Sequence, residues 1–251
     1  MTSARGNSHN AAADLTSIDF TRTPIFLTSD DELGIELAST LDLEIKDIQS
    51  APSNHWYLGC RYGDLAICHS KESPLVISER SIRSKIDEAR STHLAKACMA
   101  RPGRIVLDAF GGWGVDGFSL SALGCKVTIL EVNPLICTMA RHLAQELGCA
   151  AKIVCVDAER YLQGTGEFFD VIYFDPMFPV HPKSAKPARR MQVLEMMARK
   201  VSDFDQVIEI AKSRTRDRIV VKRRRSEKAR SLVPDWTVYG RTVRFDVYQT
   251  R

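Results

Sequence analysis

The sequence has no C-x-x-C pair among its seven cysteines, no run approaching the roughly 18 apolar residues of a membrane span, and only 14 Gly and 10 Pro in 251 residues. The first absence excludes a zinc knuckle, and the odd cysteine count excludes a fully paired disulfide framework. Most of the cysteines (Cys60, Cys68, Cys98, Cys125, Cys137, Cys149, Cys155) lie in apolar stretches such as AKIVCV and read as small buried hydrophobes. The second absence excludes a transmembrane helix, and the modest Gly and Pro counts exclude collagen-like or low-complexity architecture. The opening stretch MTSARGNSHNAAADL has one Arg and no apolar core, so it does not read as a secretory signal and a cytoplasmic location is expected. What the chain does have is a hydrophobic share of 44%, ample for a packed core, over a length that suits one large domain or one domain with an appendage.

A net charge of only +4 conceals an asymmetry. Residues 1–50 hold three basic side chains against nine acidic ones, whereas residues 183–230 hold sixteen basic against six acidic. A basic cluster this dense is either a solvated face or a phosphate-binding one, and charge alone does not separate the two.

Residues 1–20 are polar and small, and a disordered tail is expected there. Residues 21–78 read as a small N-terminal α/β domain. PIFLTS is a strand, DDELGIELAST a helix following Ser29, and LEIKDI, HWYLGCRY and DLAICHS are short strands, the last two joined as a hairpin near Gly63. From residue 79 to 251 strands and helices alternate. One helix, IDEARSTHLAKACMA, runs to the Arg101-Pro102-Gly103 breaker, followed by the strand RIVLDAF, a glycine loop and the helix VDGFSLSALG. The strand KVTILEV, a helix from Pro134 to Leu147, and the strands AKIVCVD, FFDVIYFD and RIVVKR complete the pattern, with a long helical region between the last two. Continuous β-branched runs between helices predict a doubly wound, mostly parallel α/β sheet buried on both faces. WTVYG and RTVRFDVYQT predict an antiparallel pair at one edge.

The first chemical signal is Asp108-Ala-Phe-Gly-Gly-Trp-Gly-Val-Asp-Gly117. Gly112, Gly114 and Gly117 form G-x-G-x-x-G between a strand and a helix, where backbone can approach a ligand and helix-terminal amides point at it; a tight turn needing positive φ would use the same residues. Glu131 ends the next strand, nineteen residues after Gly112, and can accept both hydroxyl protons of a ribose, in a nicotinamide dinucleotide or in S-adenosylmethionine. Asp108 favours the second, because a carboxylate there repels pyrophosphate and attracts an amino-acid ammonium or ordered water. Asp157 ends the third strand and can meet an adenine amine or serve as a helix cap. Ligands of open α/β sheets bind along this carboxyl edge.

Asp175-Pro176-Met177-Phe178-Pro179 follows FFDVIYFD and resembles the D-P-P-Y or N-P-P-Y signature of methyltransferases that alkylate exocyclic nucleobase amines. The residue types suit that chemistry. An exocyclic amine is a poor nucleophile because its lone pair is delocalised into the ring. The Asp175 carboxylate and the Pro176 carbonyl can hold its two protons and favour a pyramidal nitrogen. Phe178 can stack on the base, and the prolines stiffen the loop. An ordinary Asp-Pro turn with a buried Phe is the bland alternative.

Taken together, LDAFGGWGVDGFSLSALGCKVTILEVNP, VIYFDPMFP with its Lys-Ser-Ala tail, RIVVKR and RFDVY resemble the bacterial small-subunit (16S) ribosomal RNA guanine-N2 methyltransferases of type J. The resemblance implies a Rossmann-like class I methyltransferase fold, S-adenosyl-L-methionine as donor, and a guanine near the 3′ end of small-subunit ribosomal RNA, or of the 30S subunit, as acceptor. By motif it places the donor against Val115, Asp116, Glu131, Val132, Asp157, Ala158 and Asp175. The chain departs from the family pattern at Lys85 to Arg90, where glycines are usual, at Val115, where Arg is usual, and at Asp157 and Ala158, which replace small serines.

Two basic segments, Lys183, Lys186, Arg189 and Arg190 after the Asp175 loop and Lys222, Arg223, Arg224 and Arg225 after the fifth strand, could grip phosphates flanking an extruded guanine. The expectation is an rRNA (guanine-N2)-methyltransferase that needs no metal and no membrane. Its rivals are an NAD(P)-dependent oxidoreductase using the same glycine loop, which leaves the Asp175 motif unexplained, and a non-catalytic RNA-binding assembly factor.

Overall fold

The computed structural model describes residues 23–89, 92–176, 188–198, 204–227 and 232–250; the expected tail over 1–20 lies outside them. The first elements are β1 (Ile25–Leu27), α1 (Glu32–Thr40), β2 (Ile45–Asp47), β3 (Tyr57–Arg61), β4 (Asp64–His69) and β5 (Glu72–Val76). They form a five-stranded sheet in the order β2-β1-β3-β4-β5. Asp31 caps α1, its side chain accepting the Gly34 amide at 2.9 Å. Tyr62 and Gly63, both at positive φ, close the two-residue hairpin between β3 and β4. The additional strand β5 contains Pro74, which its edge position tolerates.

The single helix expected over 86–100 is two helices, α2 (Glu79–Asp87) and α3 (His93–Ala97). The break has a local cause. Thr92 adopts extended backbone and turns its hydroxyl onto the Ala95 amide at 3.1 Å, so it starts a helix and cannot continue one.

The remaining elements are β6 (Ile105–Asp108), α4 (Val115–Ala122), β7 (Lys126–Glu131), α5 (Pro134–Glu146), β8 (Lys152–Cys155), α6 (Ala158–Gly164), β9 (Phe169–Phe174), α7 (Arg189–Met197), α8 (Phe204–Lys212), β10 (Thr215–Arg224), β11 (Trp236–Tyr239) and β12 (Val243–Gln249). Their seven strands run β11-β12-β10-β9-β6-β7-β8, parallel from β10 to β8, with β12 antiparallel to both of its neighbours. This is the doubly wound α/β fold with an antiparallel edge that the sequence predicts. The strand following β6 in the chain, β7, lies on one side of it and β9 lies on the other, so the loops after β6 and β9 diverge and open a crevice at the carboxyl edge.

Alternation along the strands fills both faces. Val171, Tyr173, Val220 and Phe245 join one buried cluster, and Ile172, Phe174, Ile219 and Val221 join the other. The first cluster also takes in Ile25, Leu58 and Ile67, so the small sheet shares its core with the large one. α5 begins where Asn133 accepts the Leu135 and Ile136 amides and Pro134 supplies the first helical residue.

Candidate active site

β6 delivers Asp108 to the crevice with 1% of its surface exposed. The chain then turns sharply: the Gly111 amide bonds the Leu130 carbonyl at 2.8 Å, and Gly114, at φ +82°, starts α4. A side chain at Gly114 would strike the Phe118 ring, so the turn reading of this glycine holds on its own terms. No side chain caps α4, whose first amides face the same crevice edge as Asp108.

Glu131 is buried at the end of β7, with Oε2 accepting the Gly112 amide at 3.0 Å and Oε1 the Asn133 amide at 2.7 Å. One carboxylate thus ties the glycine loop to the start of α5. Burial raises its pKa, and the backbone amides partly offset that. Each oxygen keeps a second lone pair for a ligand hydroxyl.

A second carboxylate group gathers around Lys222. The ammonium lies 2.8 Å from Asp116 Oδ2 in the first turn of α4 and 2.8 Å from Asp175 Oδ2 just past β9. Asp116 Oδ2 also accepts the buried Tyr173 hydroxyl at 2.6 Å. Burial alone would raise Asp116, but Lys222, Tyr173 and Lys85 outweigh it and hold the carboxyl low. Burial wins at Asp175, which is raised although Lys222 pulls it down. Asp108 is raised well above the carboxylate range, first by burial and then by the charges of Asp116 and Asp175. Neither Asp108 oxygen has a hydrogen-bond partner of good geometry among the described residues.

Several expected site residues share this edge. Val115 opens α4, Val132 follows Glu131, Ala158 is buried at the start of α6, and Asp157 caps that helix through the Arg160 amide at 3.1 Å. Pro176 follows Asp175, whereas Phe178, Lys183 and Lys186 lie outside the described residues. Trp113 and Tyr173 carried no role in the sequence motifs. Trp113 is buried and donates from Nε1 to the Arg190 carbonyl at 3.1 Å, fixing the start of α7 beside the glycine loop.

The basic run requires correction. Residues 222–224 do not follow the fifth strand but belong to it, because β10 stays paired with β12 through Arg224. Period-two alternation therefore sends them to opposite faces. Lys222 points into the carboxylate cluster. Arg223 is 1% exposed, bonded to Asp246 at 3.0 Å and Glu227 at 3.1 Å, so it cannot reach a phosphate. Arg225 is exposed, donates to the Gly240 carbonyl at 2.9 Å and lies over the Tyr239 ring, while Arg224 is half-buried. Arg189 is tied to the small sheet through Glu72 at 2.9 Å and the Ser73 carbonyl at 3.1 Å, and Arg190 is half-buried beside it.

The family model SAM_MT, described as "Putative SAM-dependent methyltransferase", matches residues 73–250. A Legionella pneumophila protein named ribosomal RNA small subunit methyltransferase J is 33% identical over 172 residues, 65% of this chain and 70% of its own. The chain belongs to this methyltransferase J family. A Coxiella burnetii member is 34% identical over 157 residues, which span 59% of this chain and 62% of that protein. A Hydrogenovibrio crunogenus member is 28% identical over 245 residues, 86% of this chain and 87% of its own. A SAM-dependent methyltransferase from Neisseria gonorrhoeae shares the fold, with a TM-score of 0.69 at 23% identity over 91% of this chain and 96% of its own.

Family membership brings S-adenosylmethionine with it, and the site fits that donor. The buried, unpartnered Asp108 carboxylate suits an ammonium, Glu131 suits a ribose, and the uncapped α4 amides suit a carboxylate. Among the described residues no group of three or more His, Cys, Asp or Glu could hold a metal, and no helix is long and apolar enough to cross a membrane.

Asp108 also makes a stability prediction. Because burial favours its protonated form, its ionisation opposes folding once the pH exceeds the ordinary aspartate range near about 4. Asp108→Asn is therefore expected to raise the melting temperature at pH 7, by on the order of 1 kcal/mol of stability, with the advantage shrinking as the pH falls toward 4. Melting curves across pH check this; an Asn variant less stable at pH 7 would make Asp108 a structural anchor.

Proposed function

We propose that the chain transfers the methyl group of S-adenosylmethionine to the exocyclic N2 amine of a guanine in small-subunit ribosomal RNA. The observation that carries this reading is the position of Asp175-Pro176 at the end of β9, directly across the switch point from Asp108 and the glycine loop. The names of the methyltransferase J relatives support the RNA class, and the Asp-Pro motif supports an amine acceptor.

When bound, the donor supplies an electrophilic methyl on a cationic sulfur. The protein's task is to position two reactants. Asp108 holds the donor ammonium, Glu131 the ribose hydroxyls, and Asp157 with Ala158 and Val132 the adenine, while Val115 and Asp116 line the start of α4. Asp175 commits Oδ2 to Lys222, which leaves Oδ1 for a guanine amine proton; the Pro176 carbonyl takes the other and Phe178 stacks on the base. As the nitrogen–carbon bond forms and the carbon–sulfur bond breaks, the electron pair leaves on sulfur. The nitrogen's surplus proton passes to Asp175, whose raised affinity for protons suits that role. No metal takes part in this scheme.

Residues 21–78 act in this proposal as an appended unit that steadies α7 through the Arg189 and Glu72 pair. The RNA grip in this proposal reduces to Arg190, Arg224 and Arg225, together with Lys183 and Lys186, which lie outside the described residues. The base reaches the pocket unstacked.

Asp175→Ala is expected to leave the fold intact and to cut transfer of labelled methyl groups to 30S subunits at least tenfold, a barrier increase above about 1.4 kcal/mol. A variant retaining more than a tenth of wild-type turnover would remove Asp175 from the reaction. Replacing Arg224 and Arg225 together with Gln should weaken RNA binding and flatten its log-log salt dependence by roughly 0.7 for each phosphate no longer neutralised, with donor affinity unchanged. Fluorescence titrations at several salt concentrations measure this, and an unchanged slope would assign both arginines to the solvated surface.

A further inference from the structure

We infer that Lys222 is a positioning residue that couples the donor side of the site to the acceptor side by bridging Asp116 and Asp175. The inference rests on the proposed role of Asp175. Its geometric basis is direct: one ammonium lies 2.8 Å from each of two carboxylates carried by different elements, α4 and the segment after β9. Lys222 stands on a third element, β10, one residue past the Val221–Phe174 pair. The three groups retain between 23% and 33% of their side-chain exposure, so they line the crevice and are not sealed in the core.

Two carboxylates sharing one ammonium can be no more than about two hydrogen-bond lengths apart. Without the cation between them they would repel, and one would take up a proton. The other charged and titratable groups facing this cluster do not replace Lys222. Asp108 from β6 supplies no cation, its carboxyl held toward the protonated form by burial and by Asp116 and Asp175, the Tyr173 hydroxyl from β9 donates to Asp116, and Lys85 from α2 is held below its usual range by burial and by Arg190 from α7. Lys222 thus fixes the orientation of Asp175, keeps Oδ1 turned to the acceptor, and maintains the ionised form that can receive a guanine amine proton. It also makes the acceptor carboxylate sensitive to what happens at Asp116, the first turn of the donor-binding helix.

The consequence is a pair of opposite shifts. If turnover requires ionised Asp175, activity falls on the acid side as that carboxylate protonates. Lys222→Met removes the favourable cation, and the acid limb of kcat should move up by about one pH unit or more, with kcat at pH 7 falling at least tenfold. Asp116→Asn removes a competing anion and leaves Lys222 to Asp175 alone, so at saturating donor the limb should move down. Lys222→Arg retains the charge and should restore the wild-type limb.

The experiment is a set of pH profiles of methyl transfer to 30S subunits for wild type and the three variants, with melting temperatures in parallel. General structural damage lowers activity at every pH and cannot move the two limbs in opposite directions. Limbs that stay in place, or that move the same way in both variants, would overturn the inference. Should Lys222→Met fail to fold, the downward shift in Asp116→Asn decides alone. Carboxyl ¹³C resonances of Asp175 report the same two shifts without any substrate. A wild-type protein that methylates no RNA, while the resonances shift as expected, would therefore sink the functional reading and leave the Lys222 bridge standing.

Discussion

At the carboxyl edge of the parallel sheet Asp116 and Asp175 share the ammonium of Lys222, with the buried carboxyl of Asp108 beside them, and the character of the crevice follows from that cluster. Parallel strands β6 and β9 bring Asp108 and Asp175 side by side, while the glycine turn bends α4 back so that Asp116 returns to the same point. The arrangement favours a cation, because positive charge brought beside the desolvated Asp108 carboxyl stabilises its ionised form and is attracted by it. A sulfonium carrying an amino-acid ammonium has that character. In the proposed function the anionic RNA backbone is met by the opposite sign, at Arg190, Arg224 and Arg225. On that proposal one edge of the sheet separates a donor pocket made of acids from an RNA border made of arginines.

Holding these carboxyl groups together requires rigid supports, and the structure supplies them from several directions. Glu131 ties the glycine loop to α5 through two backbone amides, Trp113 ties the same loop to α7, and Tyr173 rises from the middle of β9 to meet Asp116. The small sheet contributes at a distance. Its core is continuous with that of the large sheet, and its Glu72 and Ser73 hold Arg189 at the first turn of α7.

The large sheet was legible in the sequence because nearly continuous apolar strands alternating with amphipathic helices have few other solutions. Asp108, Glu131, Asp157 and Asp175 could be placed on one edge because each ends a strand. Motif readings placed a residue correctly where backbone position alone decided, as with Gly114 in the turn and Glu131 at the strand end. They failed where a role depended on side-chain direction. The run Lys222 to Arg225 looks like one basic patch, yet pairing of β10 with β12 extends through Arg224, and alternation drives Lys222 into the acid cluster and Arg223 into the core. Asp246, Arg223's buried partner, is 23 residues away in sequence and could not be paired with it by inspection. The break between α2 and α3 was hidden for a related reason: Thr92 as a helix cap competes with Thr92 as a helix interior, and only its extended backbone decides between them.

The central claim, methyl transfer to a guanine N2 of small-subunit RNA, is tested most directly by position-resolved mass spectrometry of that RNA from cells with and without the gene. The account predicts one N2-methylguanosine near the 3′ end that disappears with the gene and returns with the wild-type copy. An unchanged set of N2-methylguanosines would contradict it, as would loss of a methyl group from a different base atom.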